Sequence, residues 1–184
     1  MKYLTLLLLA LTSCAATNVD VGYANRKFVD WEDIGNQDGA AIMIDTQIKE
    51  NTSIELAVIV TNASSESVFI NRDTDDSRGE AAGFSLGIRR TLPITESLSL
   101  FTGMGMEYNR GRIDVDLSYS GQEIEREFDI FSPYAQVGAR CQVDGQVSAF
   151  VVYRRTFFGS EENVLAHSPS GNSNTIIFGL GWGF

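Results

Sequence analysis

The chain has 184 residues, of which 14 are basic, 24 acidic and one histidine, giving a formal charge of −10. That length holds one domain of ordinary size, and the acidic balance argues against nucleic acid as a partner. Two cysteines exclude a disulfide-stapled scaffold, and a single histidine excludes sites built on two imidazoles, including most zinc sites.

The first sixteen residues read as a signal peptide. Met1-Lys2 is followed by the apolar run Tyr3 to Thr12 and then by small residues. The run is too short to span a bilayer as a helix, which needs about 20 apolar residues. Two cleavage readings compete. Leu11-Thr12-Ser13-Cys14 resembles a lipobox ending at Cys14, whereas ordinary signal peptidase would cut after Ala15 or Ala16. Either way residues 17–184 form the exported domain.

From residue 19 the apolar period is two, which predicts strands with one apolar face. The first segment, 19–27, is the weakest, and the second lies near 40–48. The third sets Ile54, Leu56, Val58 and Val60 against Glu55, Ala57, Ile59 and Thr61. The fourth sets Phe84, Leu86 and Ile88 against Ser85, Gly87 and Arg89. In the fifth, Leu98, Leu100, Thr102, Met104, Met106 and Tyr108 oppose Ser99, Phe101, Gly103, Gly105 and Glu107. Segments six and seven fall at 130–143 and 147–157. The eighth is the cleanest, with Ile176, Phe178, Leu180, Trp182 and Phe184 on one face. Tight turns at 49–52, 93–96 and 144–146 take turns with long polar connections at 28–39, 62–82, 109–128 and 158–174. A meander of eight such segments predicts an all-β, eight-stranded antiparallel up-and-down transmembrane barrel.

The second face separates a membrane barrel from a soluble one. It carries glycines, small polar residues and scattered charges, which suits the narrow interior of eight strands. Parity assigns Asp45, Glu55, Arg89, Glu107, Arg140 and Arg154 inward, a set that neutralises itself by pairing. Aromatic residues gather near the segment ends, as interfacial girdles require, with Arg90 and Arg155 facing outward there.

The tail Ile176-Ile177-Phe178-Gly179-Leu180-Gly181-Trp182-Gly183-Phe184 resembles the C-terminal signal of bacterial outer-membrane barrels. The mature chain as a whole resembles the small OmpA/OmpX-type, opacity or porin-like barrels. The resemblance implies that Phe178, Leu180, Trp182 and Phe184 are read by the barrel-assembly machinery. It also implies periplasmic termini and long loops facing outside, in contact with lipopolysaccharide. It is specific for architecture and weak for activity. Eight strands leave no continuous aqueous lumen, so "porin-like" implies no pore here.

The four long connections carry sixteen acidic and five basic residues, a net of −11, which accounts for the charge of the whole chain. Hydration of exposed loops explains this simply. A sharper reading is weak divalent-cation binding by Asp73, Asp75, Asp76 and Glu80, although Arg78 occupies the position where an EF-hand loop needs glycine. No cofactor motif is present, and Gly103-x-Gly105 lies inside a strand.

Three functions remain open at this point. The first is a non-enzymatic structural or surface-interaction protein, with an adhesin or envelope-integrity role and an extracellular or host ligand at its loops. Ile113, Val115 and Leu117 alternate, which suggests that the third hairpin protrudes as a ribbon with an exposed edge. The second is a lipid A-modifying acyl hydrolase or transferase using His167 with Ser168 or Ser170. Its details are unfavourable, since the deacylases' His-x-Ser-Asn signature is missing where Tyr153-Arg154-Arg155-Thr156 stands. The third is a soluble secreted lipocalin-like ligand binder, which would turn the apolar stripes inward.

Overall fold

In a computed structural model the chain forms a closed barrel of eight antiparallel strands, each bonded to its sequence neighbours and β1 to β8. The structure describes residues 16–28, 36–68, 74–117, 122–157 and 172–184, with the backbone alone at 64–68, 74–77, 113, 115–117, 122–124, 126 and 128. The strands are β1 (Thr17–Phe28), β2 (Gln37–Lys49), β3 (Thr52–Val68), β4 (Thr74–Pro93), β5 (Leu98–Leu117), β6 (Gln122–Asp144), β7 (Val147–Thr156) and β8 (Ser173–Gly183).

The turns at one end are short for local reasons. Asn51 adopts φ 58° between β2 and β3, a conformation that asparagine tolerates better than most residues. Thr95 Oγ1 accepts hydrogen bonds from the amides of Ser97 and Leu98 between β4 and β5. Asp144 Oδ1 accepts from the Gly145 amide between β6 and β7. Thr17 and Phe184 exchange backbone hydrogen bonds at this same end and complete the seam between β1 and β8.

Register fixes the tilt. A row of outward residues runs from Ala139 through Val151, Phe178, Tyr23, Ala40, Val60, Ala82 and Arg110, and returns to β6 at Asp129. One circuit therefore shifts by the ten residues between positions 139 and 129. A stagger of that size goes with strands inclined by about 35–45° to the barrel axis.

Side-chain parity then divides the molecule. Outward positions carry Val21, Tyr23, Ile42, Val58, Val60, Leu86, Ile88, Leu100, Met106, Val137, Val151, Ile176 and Leu180, all exposed, with Met104 as far out as 70%. Such a continuous apolar exterior is unfavourable in water and suited to hydrocarbon. On β5 it runs from Leu98 to Tyr108, eleven residues that rise about 26 Å at ~3.4 Å per residue and ~40° tilt, close to the ~25 Å of a membrane barrel. The stripes that a lipocalin-like ligand cavity would need inside are turned outside.

The core lies in the lumen. Met43, Ile59, Phe101, Phe150, Val152 and Ile177 form its buried apolar cluster, and Phe28, Ala81 and Ile130 form a second. Large inward side chains are seated on glycines of neighbouring strands. A Cβ at Gly138 would run into the Phe101 ring, and one at Gly87 or Gly105 would run into Tyr134. Glycine is required at these positions because the lumen has room for one large group per layer.

Two expected loops are largely strand. The stretches 62–82 and 109–128 continue as paired ladder out to Val68↔Thr74 and Leu117↔Gln122. Beyond the bilayer both faces of a strand meet water, so polar sequence extends the ladder without the apolar alternation that marks a membrane strand. Segments one and two are also longer at both ends than expected.

Candidate functional site

The lumen holds a chain of alternating charges. Arg26 Nη2 meets Glu107 Oε1 at 2.7 Å, and Arg154 Nη1 meets Glu107 Oε2 at 3.1 Å. Arg154 Nη2 reaches Glu55 Oε1 at 2.6 Å, and Glu55 also pairs with Arg89. Arg89 Nη1 lies 2.6 Å from Asp45 Oδ1 and 3.6 Å from Asp20 Oδ2. Arg140 closes the series on Asp20 at 2.5 Å and Asp45 at 3.4 Å.

Neutral groups saturate much of what remains. Arg26 Nε donates to Thr175 and its Nη1 to Asn109. Arg154 donates to Gln136 and Ser85, while Gln136 and Tyr134 donate to Glu55. The guanidinium of Arg154 lies 4.2 Å from the Tyr134 ring centre, and that of Arg89 lies 4.3 Å from that of Phe101. Together these groups plug the lumen with packed, paired charge rather than opening a channel.

All six residues assigned inward from sequence, Asp45, Glu55, Arg89, Glu107, Arg140 and Arg154, lie in this one network. Sequence reasoning missed Asp20 and Arg26, both on β1 and both fully buried. They raise the described set to four acids and four arginines. Asp20 stood between Val19 and Val21 and was legible by parity. Arg26 sits between Asn25 and Lys27, where polar neighbours hide the alternation.

A second feature rises from the end away from the termini. Strands β3 to β6 have 17, 20, 20 and 23 residues, whereas β1, β2, β7 and β8 have 12, 13, 10 and 11. Among the described residues, four strands therefore stand above the rim as a wall. Pairing with β7 stops at Tyr134, so β6 from 122 to 132 has a strand partner on one side only among the described residues. The exposed face of the wall carries Arg78, Glu80, Arg110, Arg112, Glu125, Glu127 and Asp129, with Asp114 half-exposed beside Arg112. Arg112 pairs with Asp114 at 2.8 Å and Glu125 at 3.2 Å, and Arg110 pairs with Glu127 at 3.5 Å.

The cation candidate falls on this wall. Asp75, Asp76 and Glu80 belong to extended β4 rather than to a loop. Residues 75 and 80 are then about 17 Å apart along the strand at ~3.4 Å per residue, too far to share an ion. No group of three metal-binding side chains occurs among the described residues. Asp73, the leader with Cys14, and His167, Ser168 and Ser170 lie outside the described residues. Phe178, Leu180, Trp182 and Phe184 all face outward, and the Phe178 ring packs 5.2 Å from that of Tyr23.

These features define a small eight-stranded membrane barrel with a filled lumen and a raised sheet. No family model matches the sequence, and no curated protein sequence matches it significantly. The fold is shared with solved outer-membrane barrels. One is Ail, the attachment invasion locus protein of Yersinia pestis, solved with the heparin analogue sucrose octasulfate. It has 16% identity and a TM-score of 0.61, over 92% of this chain and 99% of that one. OprG from Pseudomonas aeruginosa shows 9% identity and a TM-score of 0.65 over 93% and 96% of the two chains. Neisserial surface protein A shows 16% and 0.55 over 92% and 96%. The chain thus has the architecture of the small OmpA/OmpX-type outer-membrane barrels.

Proposed function

We propose that this protein is a non-enzymatic outer-membrane barrel whose raised β3–β6 sheet is a contact element on the cell surface, with the termini in the periplasm. The observation that carries this reading is the pairing of a plugged lumen with a wall that stands clear of the apolar band. A filled barrel has no transport path, whereas a sheet with a one-sided edge and a charged face is suited to binding. Acids outnumber arginines on the wall, so it favours a basic extracellular or host ligand over a polyanion such as the heparin analogue bound by the Yersinia protein. The barrel-assembly machinery is the further partner, met through the outward C-terminal aromatics.

Attachment of cells that make the protein tests the reading. Replacing Glu80, Glu125 and Glu127 with Gln should reduce attachment while leaving the barrel folded and the lipid A of the cells unchanged. Attachment equal to that of the parent would remove the wall from the mechanism. A cysteine placed at Glu127 should react with an impermeant maleimide on intact cells, and one placed at Gly145 should not.

A further inference from the structure

The last strand carries no side chain on the lower part of its lumen face. Gly179, Gly181 and Gly183 hold three successive inward positions of β8, and Gly181 pairs with Asp20 on β1 and with Ser148 on β7. Asp20 and Ser148 therefore flank a notch in the wall of the lumen. A Cβ on Gly181 would lie 2.1 Å from Asp20 Oδ1 and 2.9 Å from Ser148 Oγ, so the two oxygens lie within about 5 Å of each other. The Phe150 ring stands above them, 3.1 Å from where a Cβ on Gly22 would be. Below them Asn18 Oδ1 lies 3.1 Å from the corresponding point on Gly183, near the end of the barrel where Thr17 and Phe184 join.

Asp20 is fully buried, yet only one of its oxygens is satisfied. Oδ2 meets Arg140 at 2.5 Å and Arg89 at 3.6 Å, whereas Oδ1 has no hydrogen-bond partner among the described residues. Ser148 donates its hydroxyl hydrogen to the Gly181 carbonyl at 3.5 Å, which leaves oxygen lone pairs rather than a proton for Asp20. The notch is thus lined by acceptors. The charges around it are also uneven. Asp20, Asp45 and Glu55 surround Arg89 and Arg140, while Glu107 alone receives both Arg26 and Arg154. Arg154 bridges the two groups through Glu55. The chain of charges is neutral as a whole, but its negative excess lies beside the unsatisfied oxygen, where a buried carboxylate needs a positive partner.

We propose that Asp20 Oδ1 and Ser148 Oγ hold a sodium ion in this notch, with glycine at 181 leaving the space for it. Calcium takes oxygen ligands at about 2.3–2.6 Å, and sodium has nearly the same radius, so two oxygens within about 5 Å of each other can share it. A single carboxylate beside two arginines supplies too little charge for a divalent ion. The ion evens out the charge of the lumen at the end where Arg140, 14% exposed, meets solvent. This site goes beyond the contact role of the wall and stands on residues which that role does not use.

The test is equilibrium urea unfolding of the full chain refolded in phosphatidylcholine vesicles, in sodium chloride or in choline chloride at one ionic strength. Choline is too large for the notch, so the comparison separates occupancy of the site from screening. The unfolding equilibrium constant should fall as sodium replaces choline, by about tenfold when sodium stands at about ten times its dissociation constant. D20N removes the charge and G181A fills the space. Each should abolish the difference between the two salts, and that difference can be read whatever the variant's own stability. S148A should need more sodium for the same effect, and R110Q on the wall should behave as the parent does. Equal stability of the parent in both salts would overturn the site and leave Oδ1 to a proton or a water. Sodium dependence that survives in both D20N and G181A would overturn it as well. Magnesium chloride giving the same D20N-sensitive shift at equal concentration would overturn the monovalent assignment.

Discussion

Arg154 and Glu107 meet at 3.1 Å in the lumen, each with a side chain wholly closed to solvent. Because Arg154 also holds Glu55, removing it leaves two buried carboxylates with fewer cationic partners, Glu107 with Arg26 and Glu55 with Arg89. R154M should therefore cost about 3–5 kcal/mol, the usual result of leaving a buried charge uncompensated. Equilibrium urea unfolding in lipid vesicles measures this.

The alternating order of the chain makes a less obvious prediction. Arg26 and Glu107 form its end, so removing both as R26M with E107Q deletes two charges yet leaves Arg154 with Glu55. That double variant should be more stable than R154M alone. If it proves less stable, the network is held by its neutral partners Asn109 and Thr175 rather than by charge alternation.

Gly138 gives way to the Phe101 ring, and a Cβ there would lie about 2.6 Å from a ring carbon. G138A should overpack this layer and destabilise the barrel by about 1–3 kcal/mol. F101L supplies space on the opposing strand, so the double variant G138A with F101L should recover part of the loss. Non-additivity in the double-mutant cycle is the readout.

How much of this was legible in the sequence follows from where parity operates. Between Leu98 and Tyr108 lipid lies on one side and a packed lumen on the other, so alternation is strict and Glu107 could be placed inward from its neighbours alone. Above Tyr108 the residues Arg110, Arg112 and Asp114 meet water, alternation stops marking the membrane, and a paired ladder read as loop. Arg26 was lost for the same reason near the upper end of β1. The seating of Tyr134 on Gly87 and Gly105 was also unreadable, because it depends on register between strands that only the closed barrel fixes.

The exposed ion pairs of the wall should behave unlike the buried ones. Arg110 and Glu127 meet at 3.5 Å with side chains 65% and 63% exposed. R110Q should change stability by less than about 1 kcal/mol, with whatever difference there is disappearing in high salt. By contrast, M104R at the middle of the apolar band should cost about 2–4 kcal/mol. Similar costs for the two would mean that the band does not face lipid.

Phe184 separates stability from assembly. Its backbone closes the seam with Thr17, through amide-to-carbonyl contacts of 2.9 and 3.3 Å, while its side chain is among the most exposed in the barrel. F184A keeps both hydrogen bonds and removes only a ring that packs on little. Urea unfolding of the refolded barrel should therefore shift by no more than about 0.5 kcal/mol, as for an ordinary surface substitution. If the ring is read by the assembly machinery, the same substitution should sharply lower the amount of heat-modifiable barrel in the outer membrane of living cells. A parallel loss in both assays would make Phe184 a structural residue, whereas no loss in either would remove it from the assembly signal and leave Phe178, Leu180 and Trp182 to carry recognition.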